Sequence, residues 1–514
     1  MPVVRRKVLV GFIVILLLVL LFCPAFEKVG APMEEGALLV YPELILKGAV
    51  PYRDFETFYG PANLWLLSGI YAVTGPGIFV ERTVGLLYRI AILAALFLLL
   101  ARYSVSLAAG CSIAAGLLFV PLGLGAFAWS GGLMCLLWSI CFSVKPGSPK
   151  QTFFGGLLIG LALLFRPDLA PAGLAAGLPL FLLMHSSARK NYLGGVALGL
   201  LPYGLLAVIA GPRNMLDNLV LFPVFYSSPG RHIPILSAEP YVLRLFFMHL
   251  AAVAINLFAG GLAVTRFRTR VSARLLLSLA LLGLALTHQA AQRLDFGHLI
   301  CAALLSIPIL PFSMCILYAQ WRESPVRIGH AVTATAIVML ALLLLAPRLA
   351  QEAQRELLSS LNSEADDTFF IEREGRSFPT PSAQLARSIS RLLNQLMETA
   401  KPADRVFVGP SDLRRTNYND TFIYHLLPQL RPATYFLEMN PLSANRANSR
   451  LATDLASADW VILSNCWDYW NEPNESSKFG SSAPMQVMQT QFRVCGRFGG
   501  YDLYRRRAPI VVQN

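Results

Sequence analysis

The chain has 514 residues, of which 55% are hydrophobic and only 14% charged, with a formal net charge of +13 and a mean hydropathy of +0.54. A soluble domain carries about 25% charged residues, so these values exclude an ordinary soluble enzyme. Apolar runs long enough to cross a bilayer recur, which predicts a helical membrane bundle, and the short alternating segments of a barrel are missing.

In chain order, Arg5-Arg6-Lys7 precedes an apolar run from Val8 to Cys23. A cleaved signal peptide fits poorly, because the small-residue cleavage pattern is weak, so an uncleaved first span is expected. The next loop, 25–81, carries Glu34-Glu35 and then Pro51-Tyr52-Arg53-Asp54-Phe55-Glu56-Thr57-Phe58-Tyr59-Gly60-Pro61. Residues 62–80 are apolar and bracketed by Pro61 and Gly75-Pro76-Gly77, which predicts a helix lying on the bilayer. A span there would invert every later loop.

Eleven spans are predicted near 8–24, 82–101, 105–124, 128–143, 152–165, 170–184, 193–210, 241–264, 274–290, 299–318 and 329–346. Arg166-Pro167-Asp168 separates the fifth and sixth, since neither a proline nor two charges suits a lipid-exposed helix centre. Residues 211–240 form a second long loop, with an interfacial helix expected over 214–225 and then Ser228-Pro229-Gly230-Arg231-His232. Arg293-Leu294-Asp295-Phe296-Gly297-His298 lies between the ninth and tenth spans.

With the N-terminus in the cytoplasm, every inside segment is basic, from Arg5 to Arg327, and Glu323 alone opposes them. The excess positive charge therefore needs no nucleic acid. Residues 351–514 hold 18 basic and 18 acidic residues, so the excess lies in the membrane part. That tail is expected outside, with residues 351–400 helical and strands at 405–408, 460–463 and 500–504. The expected division is a membrane domain over 1–348 and a soluble α/β extracytoplasmic domain over 349–514. Cys466 and Cys495 fall in the outer domain, where an oxidising compartment permits a disulfide.

This span count puts Glu34, Glu35, Asp54, Arg166, Asp168, Arg231, Arg293, Asp295 and His298 on one face. Carboxylates can take a proton from a hydroxyl, and arginines hold phosphate without losing charge. No phosphate-binding glycine loop or dinucleotide fingerprint is present. Together these suit transfer of a group from a lipid phosphate to an acceptor hydroxyl. Candidate catalytic residues are Glu34, Glu35 and Asp54. Candidate donor-phosphate ligands are Arg166, Arg231 and Arg293. Tyr52, Arg53, Tyr59, Asp168, Asp295 and His298 are candidate substrate contacts, and Glu56 is read as a solvated loop residue.

The first span, the acidic pair, the Pro-Tyr-Arg-Asp-Phe segment and the aromatic-Gly-Pro turn resemble the GT-C superfamily of polytopic membrane glycosyltransferases. They are similar to the bacterial dolichyl-phosphate-mannose-protein mannosyltransferase (glycosyltransferase family 39) and aminoarabinose transferase families. The resemblance implies a GT-C-like bundle, a polyprenyl-phosphate-linked sugar donor and inversion at the sugar. The acceptor would be a glycan, lipid or protein, and the site would face the outer side of a bacterial inner membrane. It matches Glu34-Glu35 to the family's acidic motif, with both members glutamate where Asp-Glu or Asp-Asp is commoner, which leaves open which one is the base. No obligatory metal is expected, although paired carboxylates can hold a divalent cation. The rival readings are a transporter or flippase of a lipid-linked sugar and a non-catalytic cell-envelope assembly protein.

Overall fold

The computed structural model describes residues 2–145, 148–227, 232–266, 271–323, 327–362, 368–416, 418–468 and 480–508. Its first two-thirds are helical. The elements are α1 (Pro2–Phe22), α2 (Glu34–Leu46), α3 (Pro61–Thr74), α4 (Ile78–Leu100), α5 (Val105–Phe119), α6 (Ala128–Ser143), α7 (Pro149–Phe165), α8 (Ala170–Phe181), α9 (Ser186–Ala210) and α10 (Pro212–Leu216). A π-helical turn, Asp217–Tyr226, follows. Then come α11 (Pro240–Arg266), α12 (Val271–Gln292), α13 (Phe296–Ser306), α14 (Leu310–Arg322), α15 (Ile328–Leu345) and α16 (Pro347–Asn362). All eleven expected spans fall on helices. Among the described residues, eight helical segments are long and apolar enough to cross a membrane, and α6 and α7 are shorter apolar helices. The protein is therefore a multi-pass membrane protein.

Local chemistry sets the helix ends. Ser104 and Ser148 accept backbone N–H groups at the starts of α5 and α7, and Asp295 accepts the His298 N–H at 2.9 Å to start α13. Without a hydrophobic drive between helices in lipid, close packing needs small residues. Gly156 and Gly160 of α7 meet Gly195 and Gly199 of α9, each pair spaced by four. A Cβ on Gly156 would lie 1.8 Å from the Tyr192 carbonyl oxygen, and one on Gly195 would lie 2.1 Å from that of Phe153. Only glycine permits this backbone contact. One polar cluster inside the bundle is well paired: His249 reaches the Ser306 and Thr287 hydroxyls at 2.7 and 3.0 Å, and Asn256 bonds the Ser306 carbonyl and the Ser313 hydroxyl.

The tail holds β1 (Phe369–Arg373), β2 (Arg376–Thr380), α17 (Ala383–Thr399), β3 (Arg405–Pro410), α18 (Phe422–His425), β4 (Arg431–Pro432), α19 (Leu451–Ala456), β5 (Trp460–Ser464), α20 (Ala483–Gln491), β6 (Phe492–Phe498) and β7 (Tyr501–Arg506). The sheet order is β4-β3-β5-β7-β6. β3 runs parallel to β4 and β5, and β7 is antiparallel to β5 and β6. The three expected strands are β3, β5 and β7. The expectation of continuous helix over 351–400 fails at the β1–β2 hairpin, where Glu374-Gly375 supplies two positive φ angles (50° and 75°) suited to a tight turn. Cys466 and Cys495 are free thiols.

The tail docks on the first loop. The Phe422 N–H donates to the Pro32 carbonyl, and its backbone approaches Gly36 so closely that a Cβ there would lie 2.4 Å from the Phe422 nitrogen. Arg376 forks onto Glu43 at 2.6 and 3.0 Å. Glu56 is buried, which corrects its reading as a solvated residue: its carboxylate takes Asn440 Nδ2 at 3.1 Å and the Ser443 hydroxyl.

Candidate functional site

Glu34 and Glu35 open α2, where the positive end of the helix dipole favours carboxylates. Their surroundings differ. Glu35 is 4% exposed, and Arg82 of α4 holds both its oxygens at 2.8 and 2.9 Å. The Ala31 N–H donates to it as well, at 2.7 Å. Arg82 spends its remaining donors on the carbonyls of Phe26 and Lys28, 2.8 Å each. Glu35 is thus a buried strut tying α2, α4 and the chain leaving α1. Glu34 is half-exposed and takes the hydroxyl of Tyr418, a residue of the tail. Burial pushes the Tyr418 hydroxyl pKa up, and the neighbouring Glu34 charge adds to it, so Tyr418 stays a donor. Its ring packs on Trp467 at 4.4 Å between centroids.

The other first-loop candidates fall elsewhere. Asp54 lies past the far end of α2. It is turned onto the Val50 N–H at 2.7 Å and onto Arg53 at 2.8 and 3.0 Å, and the Arg53 guanidinium holds its carboxyl below the usual range. Arg53 and Asp54 pair with each other rather than with Glu34. Tyr52 is interior: its hydroxyl donates to the Tyr59 carbonyl at 2.8 Å, and its own carbonyl takes the Tyr435 hydroxyl at 2.7 Å. That enclosure, with a φ of 69°, makes Tyr52 a loop anchor rather than a substrate surface.

Tyr59 belongs to a second cluster. Its ring lies 5.4 Å from the Arg166 guanidinium. Gly60 then touches the end of α7, its N–H bonding the Phe165 carbonyl at 3.1 Å. Arg166 forks onto Asp168 at 2.9 and 2.5 Å through Nε and Nη2, and Gln289 of α12 donates to Asp168 at 3.4 Å. Burial raises the Asp168 carboxyl, and the adjacent Arg166 charge outweighs it, so the net shift is downward. A third cluster caps α13. Arg293 donates to Asp295 at 2.7 Å, and His298 Nδ1 lies 2.9 Å from both Asp295 oxygens. Cys301, one turn along, is within electrostatic reach of both Arg166 and Asp295. The Tyr41 ring of α2 stacks on Phe55 at 4.6 Å between centroids, which packs the first loop against α2. Arg231 lies outside the described residues.

Sequence reasoning missed Glu81, Arg82 and Arg89 of α4, and also Tyr418. Arg89 carried a readable signal, since an ionisable residue inside an apolar segment is costly and seldom idle, whereas Glu81 and Arg82 fall at the edge of the apolar run. Tyr418 carried none, because its role depends on how the tail docks. Among the described residues, no group of three or more His, Cys, Asp or Glu side chains is arranged to hold a metal ion.

No protein-family model matches the chain, and no curated protein matches it. Solved structures do. ArnT from Cupriavidus metallidurans bound to undecaprenyl phosphate aligns over 98% of both chains with a TM-score of 0.54 at 12% identity. Its apo state aligns over 98% of both with a TM-score of 0.53 at 13% identity. An Archaeoglobus fulgidus oligosaccharyltransferase, solved with Zn and sulfate, aligns more loosely, with a TM-score of 0.43 at 11% identity over 97% of this chain and 73% of that one. Bundle and tail together thus have the fold of ArnT along nearly the whole chain.

Proposed function

We propose that the protein is a membrane glycosyltransferase that passes a sugar from a polyprenyl-phosphate carrier to an acceptor hydroxyl at the outer face of the bacterial inner membrane. Residues 1–348 form its catalytic domain and 349–514 an extracytoplasmic domain over the site. The ArnT-like fold supports this reading, as does the undecaprenyl phosphate in the ArnT structure. The acceptor is a glycan, a lipid or a protein.

The observation that carries the catalytic assignment is the asymmetry between the two glutamates. Arg82 occupies both oxygens of the buried Glu35, whereas Glu34 is half-exposed and accepts the Tyr418 hydroxyl. Glu34 is the base in this reading. Its carboxylate takes the acceptor's proton as the oxygen attacks the anomeric carbon. The bond from that carbon to the phosphate oxygen breaks, the electron pair leaves with polyprenyl phosphate, and the centre inverts. Arg166 stabilises the charge growing on the phosphate. Asp168 engages its Nε and Nη2, fixing the guanidinium plane and leaving Nη1 outside the fork. Tyr59 braces the same plane, and the Arg293–Asp295–His298 cluster is a further candidate for contact with substrate.

Mass spectrometry of lipid carried by the purified protein tests the donor class. A glycosylated polyprenyl phosphate is expected, discharged by the wild-type protein and retained by Glu34→Gln. Discharge by that variant at the wild-type rate removes Glu34 from the mechanism.

A further inference from the structure

The end of the bundle away from the tail carries a feature the transfer reaction does not use. A groove of about 690 Å3 runs along α4, walled by α1 on one side and α6 on the other. Its inner surface is apolar. Phe97 forms part of the floor, Phe12 projects from α1 with 65% of its surface exposed, and Trp138 lies on the α6 side. The Trp138 indole N–H is already used by the Ala91 carbonyl at 3.0 Å, so the ring adds apolar surface and no free donor. From Lys7 to Ile15 the wall rises about 12 Å, close to the depth of one leaflet's hydrocarbon.

Three cations border this groove: Lys7 on α1, Arg102 after α4 and Lys145 after α6. Among the described residues, no carboxylate lines it. Arg102 and Lys145 are exposed and Lys7 is half-buried, and Arg102 donates from Nη2 to the Cys141 carbonyl at 3.2 Å, which holds it at the rim. Three positive side chains, one on α1 and one past the end of each of α4 and α6, border a single apolar trough. A general excess of basic residues at that end needs no such convergence.

We propose that this groove is a binding site for one anionic phospholipid of the leaflet opposite the candidate active site. An acyl chain lies between α1 and α6 along α4, and the headgroup phosphate rests among Lys7, Arg102 and Lys145. The lipid fills the space beside α1, the helix that leads directly to the turn gripped by Arg82. Charge complementarity selects the headgroup, and the trough selects a chain over a free anion.

Native mass spectrometry of the full-length protein, titrated with phosphatidylglycerol and separately with phosphatidylethanolamine, tests the site. One phosphatidylglycerol should bind with a preference of roughly tenfold or more. The triple substitution Lys7→Gln, Arg102→Gln, Lys145→Gln should abolish the preference. Arg102→Gln alone, which leaves most of the inside charge for correct insertion, should cut it severalfold. Ala94→Trp, which fills the trough and keeps every cation, should exclude both lipids from this site. Equal binding of the two lipids by the wild-type protein overturns the proposal. So does an undiminished preference in Arg102→Gln, or wild-type binding by Ala94→Trp. Inorganic phosphate competing as well as the lipid would reduce the groove to a bare anion site and overturn it too.

Discussion

Arg82 holds both oxygens of Glu35, at 2.8 and 2.9 Å, and this pairing separates two neighbouring glutamates that look interchangeable in sequence. A buried ion pair broken on one side leaves an uncompensated charge, which costs about 3–5 kcal/mol. Arg82→Ala should therefore destabilise the protein severely, and Glu35→Ala should do so to a similar degree. Glu34→Gln keeps the Tyr418 contact and should leave the thermal midpoint in detergent within about a degree or two, as befits a partly exposed substitution. Transfer should vanish in Glu34→Gln. A stable, inactive Glu35→Gln beside an active Glu34→Gln would reverse the assignment.

Arg166 and Arg293 are both arginines two residues ahead of an aspartate, and each pairs with it. Their settings differ. Arg166 lies against the Tyr59 ring, while Arg293 bridges by its backbone to Ile233 of the preceding loop. Arg166→Ala should lower the turnover number by roughly 10²–10³, the size of effect seen when one charge-stabilising donor is removed. Arg166→Lys should restore only part of this, because an ammonium cannot keep the planar fork. Arg293→Ala should mainly loosen the loop and cost less than tenfold in turnover. Steady-state kinetics on the three variants separates the two arginines.

The membrane layout was legible because its signals are one-dimensional. Lipid demands long apolar helices, so the helical segments of the bundle could be placed from composition alone, eight of them long and apolar enough to cross a membrane among the described residues. The same one-dimensional reading grouped Asp54 with Glu34 because both follow the first span. Glu34 opens the thirteen-residue α2 and Asp54 lies past its other end, and a helix carries its two ends apart. Glu56 looked solvated because its partners, Asn440 and Ser443, lie nearly four hundred residues away. Arg82 was hidden for a different reason: it falls at the edge of an apolar run, where a charge passes for a span boundary. The α7–α9 glycines were legible in principle, since both helices show the four-residue spacing of close helix contacts.

His425 gives the docked tail a pH dependence. Burial lowers its pKa from the usual 6.5 to about 3, with the Arg376 charge acting in the same direction and Glu43 opposing. Its Nδ1 lies 3.3 Å from Arg376 Nη1, so the ring is neutral with Nδ1 as acceptor. Below pH 6.5 the unfolded chain binds a proton that the folded one refuses. Stability should then fall as pH drops from about 6.5 towards 3, by at most about 1.4 kcal/mol per pH unit from this group. His425→Phe should flatten that slope while changing stability little at pH 8. Denaturation midpoints at pH 7.5, 6 and 5 read the difference, and parallel slopes in the two proteins would dismiss His425 as the source.

Tyr418 ties the tail to the proposed chemistry. It hydrogen-bonds Glu34, its ring lies against Trp467, and Trp467 in turn donates its indole N–H to the buried Asp420 at 3.0 Å, as does the Tyr501 hydroxyl. The tail thus holds the Glu34 carboxylate in one orientation from above. A hydrogen bond to a charged acceptor is worth about 1.5–3 kcal/mol, or roughly 10–100-fold in rate if it is needed at the transition state. Tyr418→Phe keeps the ring and its Trp467 contact and removes only the hydroxyl. The turnover number should drop by about that factor, with the donor KM and the thermal midpoint little changed. A fall in thermal midpoint matching the loss of activity would mean that Tyr418 merely fastens the tail. Unchanged turnover in a stable Tyr418→Phe protein would show that Glu34 works without help from the tail.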